Sequence, residues 1–154
     1  DYADRRYMAA RAVRQATIRP QHLIAVMTVN DASREAMRLE LEHLCEVNKI
    51  RFACYRSNER HASVDFNEGG ILLLNIQGVK GLEFNSVLIA DLHEHFIYRD
   101  GQAHKMRLYV ATSRPTDRLF ILYDRTHQQC PLLPLMPGDE VLGRYRLPDK
   151  GTAP

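Results

Sequence analysis

Apolar and polar positions divide the chain into segments of two kinds. Residues 23–29 (LIAVMTV), 71–76 (ILLLNI), 87–90 (VLIA) and 119–123 (LFILY) are short, nearly unbroken apolar runs, the pattern of strands buried on both faces of a parallel sheet. Between 32 and about 47, Met37, Leu41 and Leu44 recur at helical spacing while Arg34, Glu35, Arg38, Glu42 and Glu46 fall on other faces. An amphipathic helix follows from that spacing, with Asn30 or Asp31 as its cap. Residues 2–15, rich in Ala, Arg and Met, predict a helix that ends no later than Pro20 and whose partner surface is expected outside this chain. A third helix is expected from His104 or Lys105 to about Ser113, closed by Pro115. A short strand is expected at 51–55, a polar loop at 56–70, and an irregular tail punctuated by Pro131, Pro134, Pro137 and Pro148. Strands alternating with helices imply a doubly wound, mainly parallel α/β domain. Its expected boundaries are a helical linker over 1–20, the domain over 21–127 and the tail over 128–154.

Composition narrows this picture. At 154 residues, 45% hydrophobic and 26% charged, the chain fits one soluble globular domain. Its longest apolar stretches are far short of a membrane span, so no membrane partner is expected. The opening at Asp1 has neither a basic stretch nor an apolar core of a secretory signal, which leads to the expectation of a cytoplasmic piece of a longer protein. Cys45, Cys54 and Cys130 are far apart, with no Cys-x-x-Cys, so reduced structural thiols are favoured over disulfides or a zinc knuckle. A net charge of +2 permits nucleic acid without requiring it.

Two segments carry candidate chemistry. In Gln77-Gly78-Val79-Lys80-Gly81-Leu82-Glu83-Phe84, glycines bracket a lysine just beyond an apolar strand. Ligands of open α/β sheets sit at the carboxyl ends of strands, so the whole segment is expected there. Glycines let the main chain approach a phosphate, Lys80 adds a cation, and Glu83 can accept from a sugar hydroxyl. The plain alternative is a strand-to-helix turn with a solvated lysine. Arg114 follows an apolar helical run and precedes Pro115, which places a permanently charged fork at a helix end; the plain alternative is a surface arginine favoured by the helix dipole. No Gly-x-x-x-x-Gly-Lys-Ser/Thr occurs, so a phosphate-cradling loop must come from elsewhere.

Weaker signals have bland readings beside them. His93, His95 and His104 are read as exposed loop histidines rather than metal ligands. Asp91 is read as a polar strand end rather than a magnesium ligand. Phe52, Tyr55, Arg56 and Arg60, and likewise Arg144, Tyr145 and Arg146, mix rings and cations as single-strand binders do, or as plain surface does.

Taken together and in order, the two segments resemble the last two motifs of the UvrD/Rep/PcrA-like superfamily 1 helicases. Lys80-Gly81-Leu82-Glu83-Phe84 followed by Val87-Leu88-Ile89 looks like motif V, and Tyr109-Val110-Ala111-Thr112-Ser113-Arg114 followed by Asp117-Arg118-Leu119 is similar to motif VI. The region from Ala25 to Leu44 resembles that of motif IV more weakly. The resemblance covers roughly residues 20 to 125 and implies a RecA-like, P-loop NTPase-type domain that lies across an ATP cleft from a preceding motor domain. It further implies Arg114 as arginine finger, Glu83 on the ribose side of ATP, and Lys80 and Gly81 shaping the cleft. Asn75, Gln77 and Gly78 would meet single-stranded DNA, with Gln77 where the family often has histidine, and Tyr109 would pack behind the finger. ATP and Mg²⁺ would act in the full-length protein, none being bound tightly by this fragment, which alone should not hydrolyse ATP.

The sequence departs from the family pattern in several places. Asn75, Gln77, Ser113 and Pro115 replace the commoner Thr, His, Thr and Ala. The motif IV arginine position falls at Val29 or Asn30, with Arg34 as a distant substitute. The polar loop before Ile71 is too short for the large accessory insertion of Rep and UvrD. The missing arginine keeps a second reading open, a degenerate helicase-like module that binds DNA or protein without hydrolysis.

Overall fold

The computed structural model describes residues 2–55, 68–78, 81–93, 101–123, 134 and 136–143. Helices α1 (Tyr2–Ile18), α2 (Asp31–Asn48) and α3 (Gly101–Thr112) flank strands β1 (Leu23–Thr28), β2 (Phe52–Cys54), β3 (Gly70–Asn75), β4 (Phe84–Ile89) and β5 (Pro115–Ile121). The strands form one five-stranded sheet of order β2-β3-β1-β4-β5, and every pairing in it is parallel. The α/β architecture expected from the apolar runs is therefore the one observed.

Alternate residues of the central strands feed two separate cores. Leu23, Ala25 and Met27 join Leu72, Leu74, Val87 and Ile89 on one face, beneath Leu108 and Ala111 of α3 and Ile76 of a short 3-10 turn, Ile76–Gly78. Ile24 and Val26 join Ile71, Leu73 and Leu88 on the other, beneath α1 and α2. Burial on both faces is why these strands read as unbroken apolar runs. Met8, Ala9, Ala12, Val13 and Ala16 of α1 are buried in that second core. The partner surface expected outside the chain is thus found within it: small side chains let α1 settle closely on the sheet and on α2.

Element ends differ from the expectation where the signal was weak. β5 begins at Pro115, ahead of its apolar run, because a first strand position tolerates a missing N–H. β4 begins at Phe84, since Asn85 and Ser86 interrupt the apolar pattern yet continue the ladder. α3 begins at Gly101, upstream of any apolar residue that could announce it.

Helix α2 is capped at both ends. Asn30 Oδ1 accepts from the Ser33 N–H at 2.8 Å, which satisfies one of the orphan donors of the first turn. Lys49 closes the helix in the left-handed region at φ 56, where a Cβ is unfavourable. Lys49→Gly should therefore stabilise the fold by about 0.5–1 kcal/mol, read as a rise in the urea midpoint with an unchanged slope.

Cys45 and Cys54 are free thiols, and burial pushes the Cys45 thiol up to about 11, so it remains protonated at neutral pH. Among the described residues no helix is long and apolar enough to cross a membrane. Of the loop expected at 56–70, residues 56–67, with Arg56 and Arg60, lie outside the described residues, as do Cys130 and the cluster Arg144, Tyr145 and Arg146, while Gly70 already belongs to β3.

Candidate functional site

A parallel sheet has two chemically distinct edges, and the predicted site residues divide between them. β3 runs at its carboxyl end straight into the 3-10 turn, which places Asn75, Gln77 and Gly78 on that edge. The Asn75 carboxamide is engaged at both ends: its Oδ1 accepts from Thr28 Oγ1 at 2.9 Å and its Nδ2 donates to Asp31 Oδ1 at 2.7 Å. Asp31 in turn pairs with Arg34 Nη1 at 2.9 Å. Gln77 is exposed. Gly78 faces the Tyr55 ring, whose carbons would lie 3.4 Å from an added Cβ.

Glu83, next to the first residue of β4, lies on the opposite, amino edge, contrary to the expectation that the whole glycine segment occupies the carboxyl side. The reason is topological. β4 is parallel to β3 but lies beyond β1, so the eight-residue connection has to return along the sheet before β4 can start. No intervening helix announced this return in the sequence. Lys80 lies outside the described residues. Gly81 adopts φ +76, and no heavy atom of the described residues lies within 4 Å of a would-be Cβ, a left-handed turn open on that side.

Arg114 arrives at the same edge from α3. The end of α3 is tied off by the Arg114 N–H donating to Ala111 O at 3.3 Å, and the Phe84 N–H donates to Arg114 O at 3.0 Å. That second bond sets Glu83 and Arg114 just ahead of the neighbouring strands β4 and β5. The Arg114 side chain is half-buried, and its Nε is buried without a hydrogen-bond partner among the described residues. An unsatisfied guanidinium N–H is costly to keep, and it fits an anion better than any group the described residues supply.

Three further expectations are corrected. Tyr109 is 70% exposed and does not pack behind Arg114, because Leu108 and Ala111 take the core-facing positions of α3. Arg34 follows the carboxyl end of β1 whereas Arg114 precedes the amino end of β5, so they are separated by about the 20 Å length of a six-residue strand. Arg34 is therefore no substitute for a second arginine beside Arg114. His93 is buried rather than an exposed loop residue, and Asp91 is wholly buried at φ 54 with its Oδ2 accepting from Arg5 Nε at 3.2 Å. His95 lies outside the described residues, and among those described no group of three or more His, Cys, Asp or Glu could hold a metal ion.

Two ion pairs were invisible in the sequence, Arg5 with Asp91 and Arg19 with Asp117. Each joins positions far apart in the chain, and no local pattern marks either partner.

A parallel five-stranded sheet with helices on both faces is the architecture of a RecA-like domain, and comparison with known proteins agrees in fold. The solved C-terminal domain of a possible DNA helicase from Lactobacillus plantarum is similar with a TM-score of 0.51 and 19% identity, covering 75% of this chain and 66% of that one. The helicase domain of Hef from Pyrococcus furiosus gives a TM-score of 0.51 and 14% identity, over 79% of this chain and 25% of that one. In sequence, 70 residues are 39% identical to a "Putative ATP-dependent DNA helicase" of Acanthamoeba polyphaga mimivirus, 42% of this chain and 10% of that protein. The match thus spans about a tenth of that relative's length. No protein-family model matches the chain.

Proposed function

We propose that this chain is the second motor domain of an ATP-dependent DNA helicase of the UvrD/Rep/PcrA-like superfamily 1 kind. The observation that carries the reading is the meeting of Glu83 and Arg114 at one sheet edge, with the Arg114 Nε buried and without a hydrogen-bond partner among the described residues. In this reading the edge faces a preceding motor domain, which supplies the phosphate loop and the ligands of Mg²⁺. Arg114 neutralises charge building on the transferring phosphoryl group. Glu83 accepts from a ribose hydroxyl, and the open left-handed turn at Gly81, with Lys80 beside it, shapes the cleft wall. Single-stranded DNA passes the opposite edge, where Gln77 is free to meet it and Gly78 leaves room for the backbone. Asn75, held by Thr28 and Asp31, keeps the end of β3 rigid there.

A second reading, a module that binds DNA or protein without hydrolysis, is favoured by one observation: Arg34, the residue nearest the motif IV arginine position, lies at the far edge from Arg114. Steady-state ATP turnover by the full-length protein, with and without oligo(dT), separates the two. Turnover stimulated by DNA is the expected result. Its absence in both conditions would sink the motor assignment and favour the non-hydrolysing module.

A further inference from the structure

The β4–β5 ladder breaks register two residues beyond Arg114. Phe84 stands opposite Pro115 but Ser86 stands opposite Arg118, so Thr116 and Asp117 together face the single residue Asn85. This is a bulge on β5, a device that bends a strand and re-aims neighbouring side chains. Three contacts hold it. Thr116 Oγ1 donates to Phe84 O at 3.3 Å. Asn85 Oδ1 accepts from the Leu23 N–H at 2.8 Å, anchoring the residue opposite the bulge to the start of β1. The Asp117 carboxylate is ion-paired with Arg19 from the α1–β1 turn, and Arg118 Nε lies 3.6 Å from the same oxygen.

The Arg19–Asp117 pair is a weak candidate for stabilising the fold. Its side chains are 36% and 38% exposed, and pairs in such surroundings contribute little to stability. Its place is more informative than its strength: it fastens the outward-turned residue of the bulge to another element, three positions from Arg114. Arg19 is itself fixed, since its N–H donates to Gln15 O at 3.0 Å and its carbonyl accepts from the His22 N–H at 3.0 Å.

We infer that Arg19 and Asp117 are positioning residues for Arg114, locking the bulge so that β5 leaves the end of α3 in the one direction that aims the guanidinium along the amino edge. The inference rests on the role proposed for Arg114. Neither residue touches ATP; their effect passes through the backbone between 114 and 117.

A displacement of about 1 Å in a catalytic group can cost on the order of a hundredfold in rate. In the full-length protein with oligo(dT), Asp117→Ala should therefore lower kcat for ATP by between about ten- and a hundredfold, with KM changed by less than about twofold. The melting temperature should stay near that of the wild type. The exchanged pair, Arg19→Asp with Asp117→Arg, should recover most of the lost kcat, a recovery that simple destabilisation would not show. Wild-type kcat in Asp117→Ala alongside a collapse in Arg114→Ala would overturn the inference and leave the motor reading intact. A kcat loss that the exchanged pair fails to restore would also overturn it. Wild-type turnover in both single variants would remove the role of Arg114 and this inference with it.

Discussion

On the proposed reading, Arg114→Ala should lower the DNA-stimulated ATP turnover of the full-length protein by on the order of a thousandfold, the scale of an arginine finger, while the fold is retained. The structure bears on the second half of this expectation. Nothing among the described residues depends on the guanidinium: its Nε has no hydrogen-bond partner, and the contact that joins residue 114 to β4 runs through the backbone carbonyl. Truncation should therefore leave folding stability within about 0.5 kcal/mol, as for substitutions away from packed features. Arg114→Lys should rescue poorly, since an ammonium lacks the planar fork that meets two phosphoryl oxygens at once. Turnover assays paired with urea denaturation of each variant check both statements. A fall in turnover below tenfold at matched stability would count against the finger.

Gly69→Ala should destabilise the domain by about 3 kcal/mol, the upper range for forcing extra atoms into a packed site. An added Cβ at Gly69 would lie 2.0 Å from Pro20 O and 2.7 Å from the Gln21 carbonyl carbon. Both are backbone atoms of the turn that joins α1 to β1, and neither can rotate away as a side chain would. The turn would have to move, and with it the first pairing of β3 with β1, where Leu23 stands opposite Gly70. Gly78→Ala supplies the control. Among the described residues its Cβ would meet only ring carbons of Tyr55, at 3.4 Å, so the loss should stay below about 1 kcal/mol. Urea midpoints of the two variants measure the contrast, and equal losses would show that the α1–β1 turn yields more easily than its contacts imply. The same comparison makes Gly78→Ala usable as a DNA-binding variant, because any effect on oligo(dT) affinity would not come from misfolding.

The parts of the fold legible in the sequence are those whose signal is local. Apolar runs at 23–29 and 71–76 announced strands because both faces of β1 and β3 are covered, and Met37 and Leu41 announced α2 because one stripe of it is covered. Asn30 announced its own cap. Strand ends were less legible: Pro115 looked like a helix stop and proved to be a strand start as well. The partner of α1 was misjudged because alanines at 9, 12 and 16 carry little hydrophobic signal, although they allow the close approach that buries them.

The candidate site divides along the same line. Residue types and their spacing made Glu83 and Arg114 candidates beside plain alternatives, and only the order of the two segments, through their resemblance to helicase motifs, weighted them toward a nucleotide site. Which edge they occupy was decided by strand order, because a parallel connection over β1 must return to the amino side, and nothing within the eight residues after Asn75 encodes that return. The exposure of Tyr109, the separation of Arg34 from Arg114, the Arg5–Asp91 pair and the bulge beside the Arg19–Asp117 pair were likewise decided only in three dimensions. Hydrophobic period and cap chemistry act over a few residues, so the chain by itself determined its elements and its class of fold; register, edge and pairing depend on contacts between residues up to 98 positions apart, which only the packed sheet brings together.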